Sequence, residues 1–423
     1  MSDGSWAAAV CAGQTWPLSR TQRGRLLRDR ARGAVPYNIQ IEYDVDGRIA
    51  RSRLWPALAD ITARHAMLRA HVDEPTERQV INEEIRIPLR IYCGLSEADI
   101  TELAAGRART IFDRSTAPLW DCMLLTTAKG RQVIVLTFDH MIMDGYSVRM
   151  FMEELAAGPD RSDEMAEDLS YGQFVAREAD NYGSCDSPAM SYWREHLRGG
   201  AMDRPVLFPF CPQQAMPLSG WINRRRRELG EAVSLGVRAS AATLHVTVFL
   251  YFLAAVMAGL AALSGERDIT VRLPVNGRTD GFERTIGWLA NLVQFRLPSA
   301  GAGNLEAVVA DVRRSWIEQL PHHSVPYDSV RECISPQYHD PASRPAIVTV
   351  AANTAPTAIR ALGARLIPCV TVPDSGQGDE AGLQITLVTR ETSLEIWCRY
   401  DPGRYPESAI DQILDSISAV LTS

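Results

Sequence analysis

Phe138-Asp139-His140-Met141-Ile142-Met143-Asp144-Gly145 is the stretch on which the reading of this chain turns. Residues 133–138 (VIVLTF) are a short β-branched apolar run, the pattern of a strand buried on both faces. Asp144-Gly145 is a turn signal, and residues 146–155 (YSVRMFMEEL) resume helical spacing. The local reading is therefore strand, tight turn, helix, with polar residues at the junction. A side chain at such a junction is held by rigid elements yet can reach a cleft. Histidine near neutral pH accepts a proton from an amine or hydroxyl, or donates a hydrogen bond to a developing oxyanion. Asp144 lies beyond the turn and could fix the loop by pairing with a distant arginine. On these residues alone, a structural histidine and a catalytic one are equally good readings of His140.

Outward from the junction, the first half alternates helix and strand signals. Leu54, Leu58, Ile61, Met67 and Leu68 have helical spacing across residues 54–71. Residues 158–168 read as a low-order connection. Gly199-Gly200 opens a proline-containing break that runs to Pro217. The expected organisation is an N-terminal lobe over residues 1–198, a linker over 199–217 and a C-terminal lobe over 218–423. In the second half, residues 246–263 carry no charge and reach the lower edge of a membrane span. Glu266, Arg267 and Asp268 follow rather than a cluster of Lys and Arg, so the segment is read as a buried core helix and no membrane partner is expected. Residues 268–275 predict a strand, 383–388 and 394–400 a strand hairpin, and 406–421 an amphipathic helix. No short-period repeat is visible.

Composition sets the outer limits. The 423 residues are 46% hydrophobic and 22% charged with a net charge of -7, which fits a globular protein of about two domains and gives no support for a nucleic-acid partner. The run Arg224-Arg225-Arg226-Arg227 reads as a solvated strand or loop face, with docking of an acidic partner left open. Cys11, Cys93, Cys122, Cys185, Cys211, Cys333, Cys369 and Cys398 are scattered without metal or redox spacing. They are expected to be single thiols in a reducing cytosol. No signal peptide is visible at the N-terminus, so the expected location is cytoplasmic. The sequence has no GxSxG elbow, HExxH site, P-loop or GxGxxG fingerprint, which argues against serine-nucleophile, zinc and nucleotide chemistry. No metal site or bound cofactor is expected. A histidine acting on an already activated acyl group needs none of these.

The stretch Asp139-His140-Met141-Ile142-Met143-Asp144-Gly145 resembles the HHxxxDG signature of the condensation domains of non-ribosomal peptide synthetases, in the superfamily of chloramphenicol acetyltransferase. Further elements resemble that family in order along the chain. Ser19-Arg20-Thr21-Gln22-Arg23 is similar to SxAQxR, and Arg64-His65-Ala66-Met67-Leu68-Arg69 to RHExLR. Tyr171-Gly172-Gln173-Phe174 is similar to YxDFA, and Tyr192-Trp193 with Leu197 to YWxxxL. Asn276-Gly277-Arg278 falls at the family's GR, Ile286-Gly287-Trp288-Leu289-Ala290-Asn291 at IGxFVN, and His322-His323-Ser324-Val325-Pro326-Tyr327-Asp328 at HQDxPFE.

The resemblance implies an α/β fold of two chloramphenicol acetyltransferase-like lobes in a V, with an active-site channel between them. It implies an acyltransferase that takes its acyl group from the phosphopantetheine arm of an acyl- or peptidyl-carrier protein. Coenzyme A is possible in place of that arm. Because no carrier-type serine motif is seen and the condensation pattern uses up the chain, the protein is expected to be free-standing, and a monomer is expected. The acceptor would be a small amine or alcohol, joined as an amide or ester in natural-product biosynthesis. The motif's second histidine carries over to His140, and its Asp to Asp144, with Arg278 as the partner. Gly145 would leave room for the thioester and an amide for the oxyanion. Trp288, Asn291 and Ser147 are candidates for the channel wall, with packing an equal reading for Trp288 and Asn291, whereas His322 and His323 are read as structural. One departure stands out: Asp139 replaces the first motif histidine. Strand alternation turns it away from the channel, toward a pairing role. Asp139, Asp144 and Ser147 also spell the DxxxxDxxS signature of heterocyclisation domains, which keeps cyclisation as the alternative. Acyl-coenzyme A chemistry and a non-catalytic domain that recruits a partner to a carrier are the others.

Overall fold

The computed structural model describes residues 14–158, 169–182, 185–198, 205–211, 219, 221–301, 303–334, 347–369, 375–377 and 382–422. Residues 159–168 of the expected connection and most of the expected linker at 199–217 lie outside them. The architecture is mixed α/β, built on two large sheets.

The first sheet runs in the order Ile359–Ala361, Ala364–Pro368, Asn38–Asp46, Gln132–Asp139, Trp120–Thr127, Leu89–Leu95. It is antiparallel except for its last pair. The strand Gln132–Asp139 is buried at every position, as its apolar run requires. Ile134, Leu136 and Phe138 pack with the helices Arg51–Arg64 and Gly145–Ala157. Val133 and Val135 meet Ile100 and Ala104 of the helix Glu97–Ala108 on the other face. Two of the six strands come from residues after 358, so the second half of the chain helps to build the first sheet.

The second sheet has the order Asn291–Leu297, Ile269–Val275, Val348–Thr354, Leu383–Thr389, Leu394–Tyr400, Trp221–Leu229, Ser375–Gln377. Its odd-numbered residues in Ile269–Val275 and its even-numbered residues in Leu394–Tyr400 face a core covered by helices. At the centre of that core lies the helix Val248–Ser264, apolar all round, capped by the Thr247 hydroxyl and closed by Gly265 at φ 73°. It is buried against Glu407–Thr422 and Leu305–Gln319, and among the described residues no single helix is long and apolar enough to cross a membrane. A small third sheet joins Thr15–Pro17, Arg78–Ile81 and Ala70–Asp73.

Two expectations need correction. The helix predicted over residues 54–71 stops at Arg64 and is followed by a 3-10 turn, Ala66–Arg69, and a strand. His65 takes an extended conformation there and buries its ring against Glu154, 2.8 Å away. That tertiary contact ends the helix despite the apolar spacing. The cysteines are not all single thiols, because Cys185 and Cys333 form a disulfide with Cα atoms 5.4 Å apart. They are 148 residues apart in sequence and meet because the helix Tyr327–Ile334 packs against Pro188–His196.

The Arg224–Arg227 run lies in the strand Trp221–Leu229, and alternation divides it. Arg225 and Arg227 pair with Asp411 and Asp415, while Arg224 and Arg226 lie over the Trp397 ring.

Candidate active site

His140 follows directly on the buried strand, and its amide donates to the Tyr37 carbonyl at 2.9 Å. Its ring is half-buried. Tyr37 stacks on it at 4.6 Å and 12°, and Trp288 lies against it at 4.5 Å. Trp288 thus packs directly on the candidate catalytic ring. Gly145 opens the next helix, is exposed, and has open space where a side chain would project. Its position in the first turn leaves an amide without an intrahelical acceptor.

Asp144 caps that helix by accepting from the Ser147 amide at 2.7 Å. Its carboxylate also takes both guanidinium nitrogens of Arg278, at 2.9 and 3.1 Å, and the amides of Leu289 and Ala290 at 3.0 and 2.9 Å. Burial alone would raise this carboxyl, but the Arg278 charge and the amide donors hold it below the usual carboxylate range. One carboxylate thereby fixes the motif turn to the loop between Ile269–Val275 and Asn291–Leu297. Gly277 lets the backbone pass there, since a Cβ would sit 1.9 Å from the Leu289 carbonyl. Ser147, expected on the channel wall, is fully buried. Its hydroxyl accepts from Arg278 at 2.6 Å and donates to the Gly287 carbonyl at 2.8 Å. Asn291 is buried too, donating to the carbonyls of His323 and Val325 and accepting from the Tyr327 amide. It pins the His322–Asp328 stretch. His322 stacks on Tyr192, and burial pushes His323 down to about 4.

Asp139 points away from His140 and into a buried ionic chain. It accepts from Arg114 at 2.8 Å and from the Met141 amide at 2.9 Å. Arg114 also reaches Asp29 at 2.6 Å, and Asp29 binds Arg25. The Arg25 guanidinium lies 4.3 Å over the Tyr37 ring that stacks on His140. The chain therefore ends at the candidate catalytic ring. Tyr37, Arg25 and Arg114 were not foreseen. The available signal was that Arg25 lies on the helix that the SxAQxR-like element opens, two residues past Arg23.

The remaining sequence elements converge on the same turn. Ser19 and Gln22 form a capping box, and the Gln22 side chain donates to the Met141 carbonyl at 2.8 Å. Arg64 and His65 both grip Glu154 on the motif helix. The Tyr171 hydroxyl donates to the Trp288 carbonyl at 3.0 Å.

The family model of the condensation domain matches residues 12–423. The chain is 24% identical, over 96% of its length, to a probable non-canonical nonribosomal peptide synthetase, CymA, of Salinispora arenicola. It is 25% identical over 96% of its length to the phosphinothricin tripeptide synthetase PhsC of Streptomyces viridochromogenes. It spans 5% of the first and 39% of the second, a small part of the relatives it matches. Among solved structures, the X-domain from teicoplanin biosynthesis superposes with a TM-score of 0.82 at 20% identity, covering 96% of this chain and 94% of that one. A full-length match to the family model, over a chloramphenicol acetyltransferase-like fold, establishes that the chain belongs to the condensation-domain family of non-ribosomal peptide biosynthesis.

Proposed function

We propose that the chain transfers an acyl group from the phosphopantetheine thioester of a carrier protein to an amine or alcohol. The observation that carries this reading is the half-buried His140 ring, clamped between Tyr37 and Trp288 beside the exposed Gly145 backbone. The acceptor's nitrogen or oxygen attacks the thioester carbonyl as its proton passes to His140. The Gly145 amide lies at a helix N-terminus, where negative charge on the carbonyl oxygen is favoured. The carbon–sulfur bond then breaks, and the proton held by His140 passes to the departing thiolate. No acyl-enzyme forms. Catalysis rests largely on holding two reactants together, which in well-oriented intramolecular models is worth roughly 7–11 kcal/mol. An alcohol depends on the base more than an amine does, because it holds its proton more tightly.

The three residues of the cyclisation-like pattern, Asp139, Asp144 and Ser147, are all buried in contacts that support the turn, which favours condensation. The starter condensation domain of rhizomide synthetase, which superposes at a TM-score of 0.80 and 18% identity, was solved with C8-CoA. Coenzyme A thioesters therefore belong in the test beside carrier thioesters. The decisive experiment is intact-mass detection of product from a loaded carrier protein, offered a panel of amines and alcohols, with His140→Ala as the control. Product with the native chain and a loss of about 100- to 10,000-fold in a folded His140→Ala variant is expected. Near-normal turnover in that variant would sink the assignment.

A further inference from the structure

The helix Tyr327–Ile334 is tied to both sides of the candidate site. At its start the Tyr327 amide donates to Asn291, whose side-chain amide also holds the His323 and Val325 carbonyls. Asn291 opens its strand directly after the loop that lays Trp288 on His140. Along the side of the helix, Asp328 pairs with Arg28 at 3.4 Å and Glu332 with Arg20 at 3.3 Å. Both arginines belong to the helix Arg20–Arg32, from which Gln22 reaches the Met141 carbonyl in the motif turn. The two helices pack closely, since a Cβ at Gly24 would come within 2.5 Å of the Asp328 carboxylate. A shift of Tyr327–Ile334 therefore bears on Trp288 from one side and on the motif turn from the other.

Eight residues are too few for a helix to be stable by itself, so this one depends on what holds it. Its buried side chains, Tyr327, Ser329 and Val330, all lie in its first half. In the second half Cys333 and Ile334 are only partly buried, and Glu332 is 50% exposed. An ion pair that open to water holds weakly. The disulfide from Cys333 to Cys185 is thus a principal hold on the last turn. Its other end is well fixed. Cys185 lies between Tyr171–Tyr182, which packs in the first-sheet core, and Pro188–His196, which packs in the second. Arg194 of the latter helix donates to the Cys185 carbonyl. Cys185 is exposed, so a dissolved thiol can reach the bond from that side.

We propose that the Cys185–Cys333 disulfide is a redox-sensitive clamp on the helix Tyr327–Ile334, opened by a dithiol protein to slow the chemistry at His140. As regulation of that site it rests on the acyl-transfer reading above. Exposed disulfides are the labile ones, because attack needs access to a sulfur. A thiolate of the dithiol attacks the Cys185 sulfur, the bond to Cys333 breaks, and Cys333 leaves as a thiolate that takes up a proton. The second thiol of the partner then gives up its proton and displaces Cys185, which is protonated in turn. The chain gains two electrons and two protons, and the dithiol departs as its own disulfide. Exchange with an oxidised dithiol runs the same steps backwards and closes the clamp.

The test compares the oxidised full-length chain with the same chain reduced by thioredoxin, and with a Cys185→Ser/Cys333→Ser double variant. Peptide mapping after alkylation reports the bond, hydrogen exchange reports the helix, and the carrier and acceptor pair that gives product reports the site. Thioredoxin should open the bond and make residues 327–334 exchange about 10-fold faster or more. Turnover should fall about 10- to 100-fold with the far-UV circular dichroism unchanged. Reoxidation should restore both, and the double variant should stay at the reduced values under either condition. Cys93→Ser, which removes an exposed free thiol, should keep the whole response. Two free thiols in the oxidised chain, or a bond that thioredoxin leaves intact, overturn the inference. So does opening that leaves either the exchange of this helix or the turnover unchanged, and such a result spares the function. A reduced native chain that unfolds as a whole marks the bond as a structural staple and also overturns it, whatever the folding of the double variant. If no carrier and acceptor pair gives product, the acyl-transfer reading has failed. Exchange alone then decides the clamp, supporting it by a redox response and overturning it by none.

Discussion

Asp144 and Arg278, 134 residues apart, meet as a two-pronged ion pair in which each side chain is only 1% exposed. Every lone-pair direction of the carboxylate is used, by two guanidinium nitrogens and three backbone amides. The pair is the fastening between the motif turn and the loop that carries Trp288.

Removing either partner leaves the other charged and buried. Arg278→Ala or Asp144→Ala is expected to cost about 3–5 kcal/mol of stability along with activity. Arg278→Lys should restore little, because an ammonium cannot make both bonds and also reach Ser147 and the Thr285 carbonyl. Denaturant titration with a parallel product assay checks both outcomes. A stable, fully active Arg278→Ala protein contradicts the role given to this pair.

For Asp139 we propose a positioning role, through its contacts with Arg114 and the Met141 amide. Asp139→Ala leaves Arg114 with Asp29 alone and frees the Met141 amide, with an expected loss of roughly 1–3 kcal/mol. Asp139→His, which restores the family's usual residue, should also destabilise the protein because Arg114 then faces a second potential cation. In both, kcat should fall while KM for the thioester changes little, since the Tyr37 stack on His140 loosens. Thermal melts and steady-state kinetics separate this from a direct catalytic role, which would lower kcat without affecting stability.

Gly287 lies beneath the Tyr171 ring, and a Cβ there would come within 2.3 Å of it. Gly287→Ala must displace Tyr171 or push Trp288 off His140. About 1–3 kcal/mol of stability should be lost, with a fall in turnover larger than that of a control such as Gly236→Ala, where a Cβ meets open space.

Glu178 gives a pH signature. Burial pushes its carboxyl up to about 7, an effect only partly offset by the Arg20 amide that donates to it at 2.7 Å. The folded state therefore keeps a proton that the unfolded chain releases near 4.5, and stability should decline as pH rises from about 4.5 towards 7. Glu178→Gln should flatten that decline, gaining roughly 3 kcal/mol at pH 8 relative to the native chain and nothing at pH 4. Denaturant midpoints measured across this range provide the check, and parallel curves for the two proteins would count against a buried protonated carboxyl.

The strand before His140, the turn at Asp144-Gly145, the uncharged core helix and the closing amphipathic helix were readable from the sequence. Each is set by periodicity and by turn or cap residues within about fifteen positions. The family-like elements pointed to His140 as the centre and to Arg278 as the Asp144 partner. Other features had no local signal. The burial of Ser147 and Asn291, the break at His65 and the Cys185–Cys333 link depend on partners far away in the chain. The same holds for the crossing of Ile359–Ala361 and Ala364–Pro368 into the first sheet, and for the ionic chain from Asp139 to Tyr37. Sequence by itself determined the strand before His140, the core and closing helices and where the histidine turn falls, because those follow from short-range sterics and apolar spacing. Only the tertiary structure decided which charges are neutralised inside the protein, as for Asp144 and Arg278, because pairing depends on which surfaces the packed core brings together.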